Sequence, residues 1–311
     1  MYDVAIIGSG PAGLTAAIYT CRAELKTAVI EGMSAGGQLM ITSTVDNFPA
    51  FPEGIQGPEL MNRMKQQAER FGAEMISGDV KEVDLDSQPF ELAVGSDRVK
   101  ARSIIIATGS SSRWLGLESE TALRGKGVSA CATCDGFFFT GKEIAVVGGG
   151  DAAIEEATFL TRFAKKVTVI HRRDELRAGK AMQKMAFDND KIEFAWDSVV
   201  EDIVGVEENR VTAVRLKNVK TGEIADLPVE GVFIAIGHDP ATKIFEGKIN
   251  LDDNGYIITR ENTKTSVPGV FAAGDVKDPR YRQAISAAGS GCMAAIDALK
   301  FLQGEEASPG W

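Results

Sequence analysis

The sequence predicts an α/β fold of two parallel-sheet domains, the second inserted into the first. Three observations predict it. A strand, glycine turn, helix and strand follow one another at the N-terminus. The same order returns halfway along, and each copy owns a later buried strand that ends in glycine.

The first copy is "YDVAIIGSGPAGLTAAIYTCRAELKTAVIEG". Residues 4–7 form a short apolar run that reads as a buried strand. Gly8, Gly10 and Gly13 fit G-x-G-x-x-G, with Pro11 and Ala12 inside the turn, and Leu14, Ala17 and Ile18 fall at helical spacing. Residues 28–30 make the next strand, ending at Glu31. The second copy is "KEIAVVGGGDAAIEEATFLTRFAKKVTVIHRR". Its strand is 144–147, its turn uses Gly148, Gly150 and Ala153 with Asp151 and Ala152 between, and its next strand is 167–170. In each, the first glycine permits a tight turn and the second lets backbone approach a pyrophosphate. The third small residue allows close helix packing, with the phosphates at the helix N-terminus. A lone glycine motif is weak evidence; two copies in the same context point to two Rossmann-like nucleotide-binding domains.

The ends of the second strands separate the two ligands. Glu31 lies 23 residues after Gly8, and His171 lies 23 residues after Gly148. A carboxylate at the first position suits the ribose hydroxyl of FAD or NAD. The second offers His171, Arg172 and Arg173, with Arg177 a helical turn on. Cationic forks suit a 2′-phosphate, which a carboxylate would repel. The first site therefore reads as FAD and the second as NADPH. The plainer reading of "HRRDELR" is a solvated turn with local ion pairs, since Asp174 and Glu175 sit among the arginines.

The late strands are "SIIIATGS", with Thr108 and Gly109 at its end, and "GVFIAIGHDP", with Ile236 and Gly237. A further strand reaches Gly274 and Asp275 and is followed by a helix rich in small residues over 287–298. Asp275 can accept a hydrogen bond from a ribityl hydroxyl, and the helix N-terminus can face a flavin edge. The same helix can equally serve simple close packing. The expected organisation is a discontinuous FAD domain, 1–112 and 246–311, with an NADPH domain, 113–245, inserted; each is of the FAD/NAD(P)-binding three-layer ββα type.

Composition narrows the partners. The formal charge of -10 disfavours nonspecific binding to nucleic acid or anionic lipid. The opening "MYDVAIIGSG" has no basic region or cleavage site, and apolar runs fall short of the ~20 residues that cross a bilayer. The expectation is a cytoplasmic protein without membrane or nucleic-acid partners.

Of four cysteines, Cys131 and Cys134 form a CxxC in "GVSACATCDGFFF", with Asp135 directly behind. Zinc needs four ligands, and the chain has two histidines and no second CxxC, so no metal site is expected. A structural disulfide closing so short a loop would constrain the unfolded chain little. A redox dithiol is the reading left and the best one. Asp135 can move a proton during two-electron transfer, or can be a turn residue before Gly136. Phe137, Phe138 and Phe139 read either as core or as an apolar patch for a protein partner.

Together "CATCDGFFF", "GGGDAAIEEA", "HRRDELRA", "GVFAAGDV" and "YRQAISAAGSGC" resemble bacterial-type, low-molecular-weight thioredoxin reductases, in order and spacing and over essentially the whole chain. The resemblance implies a homodimeric flavoenzyme passing electrons from NADPH to FAD, to the CxxC, and on to thioredoxin. It implies that Cys134 is nearest the flavin, that Cys131 attacks the thioredoxin disulfide, and that Asp135 is the acid/base. It places Arg172, Arg173 and Arg177 on the 2′-phosphate. Glu31, Gly36, Gly37, Gln38, Asn47, Asp275, Arg282, Gln283 and Ala284 fall on FAD. It also implies a domain that swings between two orientations, and thioredoxin docking near Lys126, Phe137 and Phe138.

Two residues depart from the family pattern. Ala50 stands where glycine usually follows "NFP", and Lys126 stands where arginine is frequent, keeping charge but losing the planar fork. An alternative is a flavoprotein disulfide reductase serving a peroxiredoxin-type or other dithiol partner; such chains usually carry an N-terminal thioredoxin-like extension. Related ferredoxin:NADP reductases lack the CxxC, and dithiol oxidases tend to lose the NADPH motif. A redox sensor that holds FAD without turnover has no need of a hydride donor.

Overall fold

The computed structural model describes residues 1–42 and 44–304. The run Tyr2–Ile7 becomes the centre of a seven-stranded sheet because Val4, Ala5 and Ile6 are wholly buried and apolar on both faces. Thr27–Gly32 and Asp97–Ile106 flank it in parallel. Glu74–Ser77 pairs beyond Thr27–Gly32, and Val270–Ala272 pairs in parallel with the end of Asp97–Ile106. Strands Phe90–Val94 and Val80–Asp84 continue the sheet as an antiparallel meander. Val4 and Ile6 face helices Pro11–Arg22, Gly57–Arg70 and Ala284–Leu302, while Ala5 and Ile7 face the meander, Phe245 and Ile257. Alternation along one strand thus builds two cores and three layers.

A second unit is centred on Glu143–Val147, in a five-stranded sheet with every pairing parallel. Lys166–Ile170 lies on one side and Gly231–Ile234 on the other. Helix Asp151–Leu160 packs through Ala153, Ile154, Ala157 and Leu160, and a three-stranded antiparallel sheet runs from Ser198 to Pro228. By its contacts the chain divides into Met1–Ser111 with the segment from Asp239 on, and Ser112–His238. The short strands Ser110–Ser112 and His238–Pro240 pair with each other, so the return crossing falls ahead of the position 246 read from the sequence.

The two units repeat one device. In the first, Gly8 N–H donates to Ile30 O at 2.9 Å and Ala107 N–H to Ile7 O at 2.8 Å; in the second, Gly148 N–H donates to Ile170 O at 3.1 Å and Ala235 N–H to Val147 O at 2.9 Å. The late strand's carbonyl therefore passes directly over the first glycine. A Cβ on Gly8 would sit 2.3 Å from Ala107 O, and one on Gly148 would sit 2.4 Å from Ala235 O. Both glycines also have positive φ, 111° and 150°.

Helix Ala284–Leu302 is long and apolar enough to cross a bilayer by length and composition, a match the apolar runs of the sequence did not show because Ser286, Ser290, Asp297 and Lys300 interrupt it. Its small face is used in packing. A Cβ on Gly291 would lie 2.0 Å from Ala12 O, and Ala287, Ala288, Ala294, Ala295 and Ala298 are buried.

Candidate functional site

In the first unit, residues far apart in sequence meet around the Gly8–Gly13 turn. Gly10 precedes helix Pro11–Arg22, whose N-terminus has no side-chain cap, and the space a Cβ on Gly10 would occupy is empty. That open backbone end is what a pyrophosphate requires. Gly274 lies against Ala12, and Thr108 lies against Gly8. Thr108 donates its hydroxyl to Ala241 O at 2.8 Å, and Gly109 beside it has φ 72°. Ser9 Oγ accepts from Gly36 N–H at 2.9 Å and donates to Glu31 O at 3.3 Å, tying the Gly36–Gly37 loop and the strand end to the turn. Gly37 comes over Gly10, and Gln38 is exposed beside it. Asn47 donates to Gln283 Oε1 at 3.1 Å, while Gln283 and Ser286 form a capping box on the helix that begins at Ala284.

Asp275 sits in the short turn Gly274–Val276, and its Oδ1 is buried with no partner among the described residues. Burial above all, helped by Asp278 and opposed by Arg282, pushes its carboxyl up to about 6. A buried acceptor of this kind calls for a donor.

In the second unit, Gly150 opens helix Asp151–Leu160 in the same way. The "HRRDELR" loop folds back onto it. Arg177 N–H donates to Gly149 O at 2.7 Å, and Asp151 Oδ1 accepts from Gly179 N–H at 2.7 Å. Arg177 Nη2 consequently lies 3.8 Å from where a Cβ on Gly150 would be. Ala153 is buried against Gly148, Ala152 is half-buried, and Ile236 and Gly237 are half-buried at the late strand's end. His171 is buried with Nε2 unpartnered among the described residues. Burial lowers its pKa, with the three arginines adding to the fall and a backbone hydrogen bond at Glu175 opposing it. Arg172 and Arg173 are exposed. Asp174, the carboxylate among them, is held at 2.7 Å by Lys220, which also reaches Asp197 at 3.0 Å. The ion pair therefore runs to a lysine of the neighbouring sheet, and the arginines are not consumed by it.

Cys131 and Cys134 are joined as a disulfide. Cys131 is the N-cap of the turn Ala132–Asp135, and its Sγ accepts from Cys134 N–H at 3.2 Å. Such a donor steadies the sulfur when it bears negative charge. Ser129 Oγ accepts from Cys131 N–H at 3.0 Å. Burial raises the carboxyl of Asp135, and a hydrogen bond from Ser129 opposes the rise. Cys134 is exposed and Cys131 half-buried. The three phenylalanines divide: Phe139 is buried edge-on to Phe233 at 5.1 Å, whereas Phe137 and Phe138 are 72% and 51% exposed. Lys126 is exposed on the turn before the pair.

The chain matches the pyridine nucleotide-disulphide oxidoreductase family over residues 2–291. It is 57% identical over 303 residues to the thioredoxin reductase of Streptomyces coelicolor, covering 96% of this chain and 94% of that one. It belongs to the thioredoxin reductase family. Among solved structures, the thioredoxin reductase of Streptococcus pyogenes superposes with a TM-score of 0.92 at 44% identity, covering 98% of this chain and 99% of that one. The enzyme of Giardia duodenalis superposes at 0.93 with 45% identity, covering 97% and 99%. Membership of this family implies a flavin and a pyridine nucleotide.

Within that family frame, three residues that no motif marks help to build the sites. Ser9 binds a loop and a strand end to the glycine turn, and Lys65 pairs with Glu31 at 2.7 Å. Gly149 leaves room for the His171 ring, since a Cβ there would lie 2.3 Å from Cε1. None has a spacing signature, because each acts through a fold contact. Only the middle glycine of "GGG" could have hinted at its role.

Proposed function

We propose that this chain is an NADPH-dependent thioredoxin-disulfide reductase whose first unit holds FAD and whose second holds NADPH and presents the Cys131–Cys134 disulfide. The observation that carries the reading is a closed CxxC in the same unit as an arginine-bearing glycine turn. The residues fit both cofactors: open glycine cradles precede uncapped helices, and the Asp275 and His171 side chains present buried, unpartnered polar atoms. When bound, the flavin supplies a two-electron relay between nicotinamide and disulfide.

The protein's own residues divide the remaining work. Gly8, Gly10, Pro11, Ala12 and Gly13 bind one pyrophosphate, and Gly148, Gly150, Asp151, Ala152 and Ala153 the other. Arg172, Arg173 and Arg177 bind the 2′-phosphate, Glu31 a ribose hydroxyl, and Asp275 a ribityl hydroxyl. Once the disulfide is reduced, Cys131 attacks one sulfur of the oxidised thioredoxin, forming a mixed disulfide and releasing one thiolate. Cys134 then attacks Cys131 Sγ, restoring the internal disulfide and releasing the second thiolate. Asp135, whose raised carboxyl holds a proton more readily than an ordinary aspartate, returns it to a departing thiolate. Lys126, Phe137 and Phe138 form the docking surface, and the working enzyme is a cytoplasmic homodimer.

The greater exposure of Cys134 favours a second order of events, with Cys134 as the attacking thiol. The test is trapping with a single-cysteine thioredoxin whose thiol is first converted to a mixed disulfide with thionitrobenzoate, so that attack by the enzyme thiol expels thionitrobenzoate and leaves the protein–protein disulfide. A mixed disulfide in Cys134→Ser and none in Cys131→Ser supports Cys131; the reverse assigns attack to Cys134. No adduct with either variant would refute thioredoxin as the substrate.

A further inference from the structure

Glu31 is the penultimate residue of strand Thr27–Gly32, with its side chain only 6% exposed. Lys65, on helix Gly57–Arg70, places Nζ 2.7 Å from Glu31 Oε1. No other hydrogen bond to this carboxylate is made among the described residues, so Oε2 is the oxygen left for a ligand. Exposed ion pairs contribute little. A carboxylate only 6% exposed differs, because removing its partner leaves a charge that water can solvate only in part. The backbone at the same point is held separately, by Ser9 Oγ on Glu31 O.

We infer that Lys65 is a positioning residue of the dinucleotide site: it balances the charge of Glu31 and orients the carboxylate so that Oε2 accepts the adenosine ribose hydroxyl. The inference rests on the reading of Glu31 as an FAD contact. It makes Lys65, on a helix outside the glycine motif, a determinant of affinity for the adenosine half of the cofactor. A lysine at this site also has a reach that the motif residues lack, since it approaches from helix Gly57–Arg70 rather than from the turn.

The experiment uses the full chain freed of flavin. Binding of FAD, and of an FAD analogue lacking the adenosine 2′-hydroxyl, is followed by flavin fluorescence in wild type, Lys65→Met, Lys65→Arg and Glu31→Gln. Lys65→Met should bind FAD on the order of tenfold more weakly, the scale of one charge-assisted hydrogen bond, and bind the analogue as wild type does. Lys65→Arg should recover most of the loss. Equal weakening towards both ligands would make Lys65 merely structural and overturn the inference, as would no weakening at all. Unchanged FAD binding by Glu31→Gln would overturn the reading of the site, and the inference with it. Should Lys65→Met not fold, Lys65→Gln removes the charge at similar length and is judged by the same outcomes.

Discussion

Replacing Asp275 by asparagine should stabilise the flavin-free protein at neutral pH while weakening its hold on FAD. Burial, more than the nearby Asp278, raises this carboxyl from 3.8 to about 6, against the pull of Arg282. A carboxyl whose folded pKa is raised contributes stability that is present below 3.8 and is lost as pH rises through about 6. The linkage relation then gives a destabilisation of about 1.6 kcal/mol near pH 5 and about 3 kcal/mol near pH 7.5. Asparagine keeps the acceptor oxygen and removes the charge. Urea unfolding of flavin-free wild type and Asp275→Asn across that range should show the variant gaining about 1.4 kcal/mol relative to wild type between the two pH values. Its FAD affinity should fall, because a neutral amide is a weaker acceptor than a carboxylate for a ribityl hydroxyl. A stability difference that stays constant with pH would refute the reasoning. Equal or tighter FAD binding would refute the role given to the carboxylate.

Neutralising Arg172 and Arg173 together should raise the KM for NADPH about tenfold or more and leave that for NADH nearly unchanged; an unaltered ratio of the two would show that they do not read the 2′-phosphate. Gly149→Ala should displace the His171 ring, costing about 1–3 kcal/mol of stability and lowering NADPH affinity with FAD retention intact; wild-type NADPH binding would contradict the packing described. Ala50 adopts φ 83°, the left-handed region, so Ala50→Gly should raise stability by about 1 kcal/mol in thermal unfolding. A lowered midpoint would mean that this turn is not strained.

Much of the fold was legible because period and punctuation agree. Short Val/Ile/Ala runs, glycine turns and helical spacing marked both central strands, and Glu31 and His171 both lie at the ends of second strands. What the sequence could not show was why the first glycine is needed, since the clash comes from Ala107 O, 99 residues beyond Gly8, and Ala235 O, 87 residues beyond Gly148. The departure at Ala50 was visible as a missing glycine, but its cost depends on a backbone angle. The aromatic run could not be divided from position alone: Gly231 opens the space that Phe139 fills, a contact between residues far apart in sequence. Lys65 was invisible for the same reason, as its charge matters only because Glu31 is buried.

The central claim is tested most directly by NADPH oxidation with oxidised thioredoxin, read against the thiols released. FAD-loaded enzyme should consume one NADPH for each thioredoxin disulfide reduced, and Cys134→Ser, retaining its flavin, should show no turnover. Wild-type enzyme that keeps FAD yet releases no thioredoxin thiols would contradict the account.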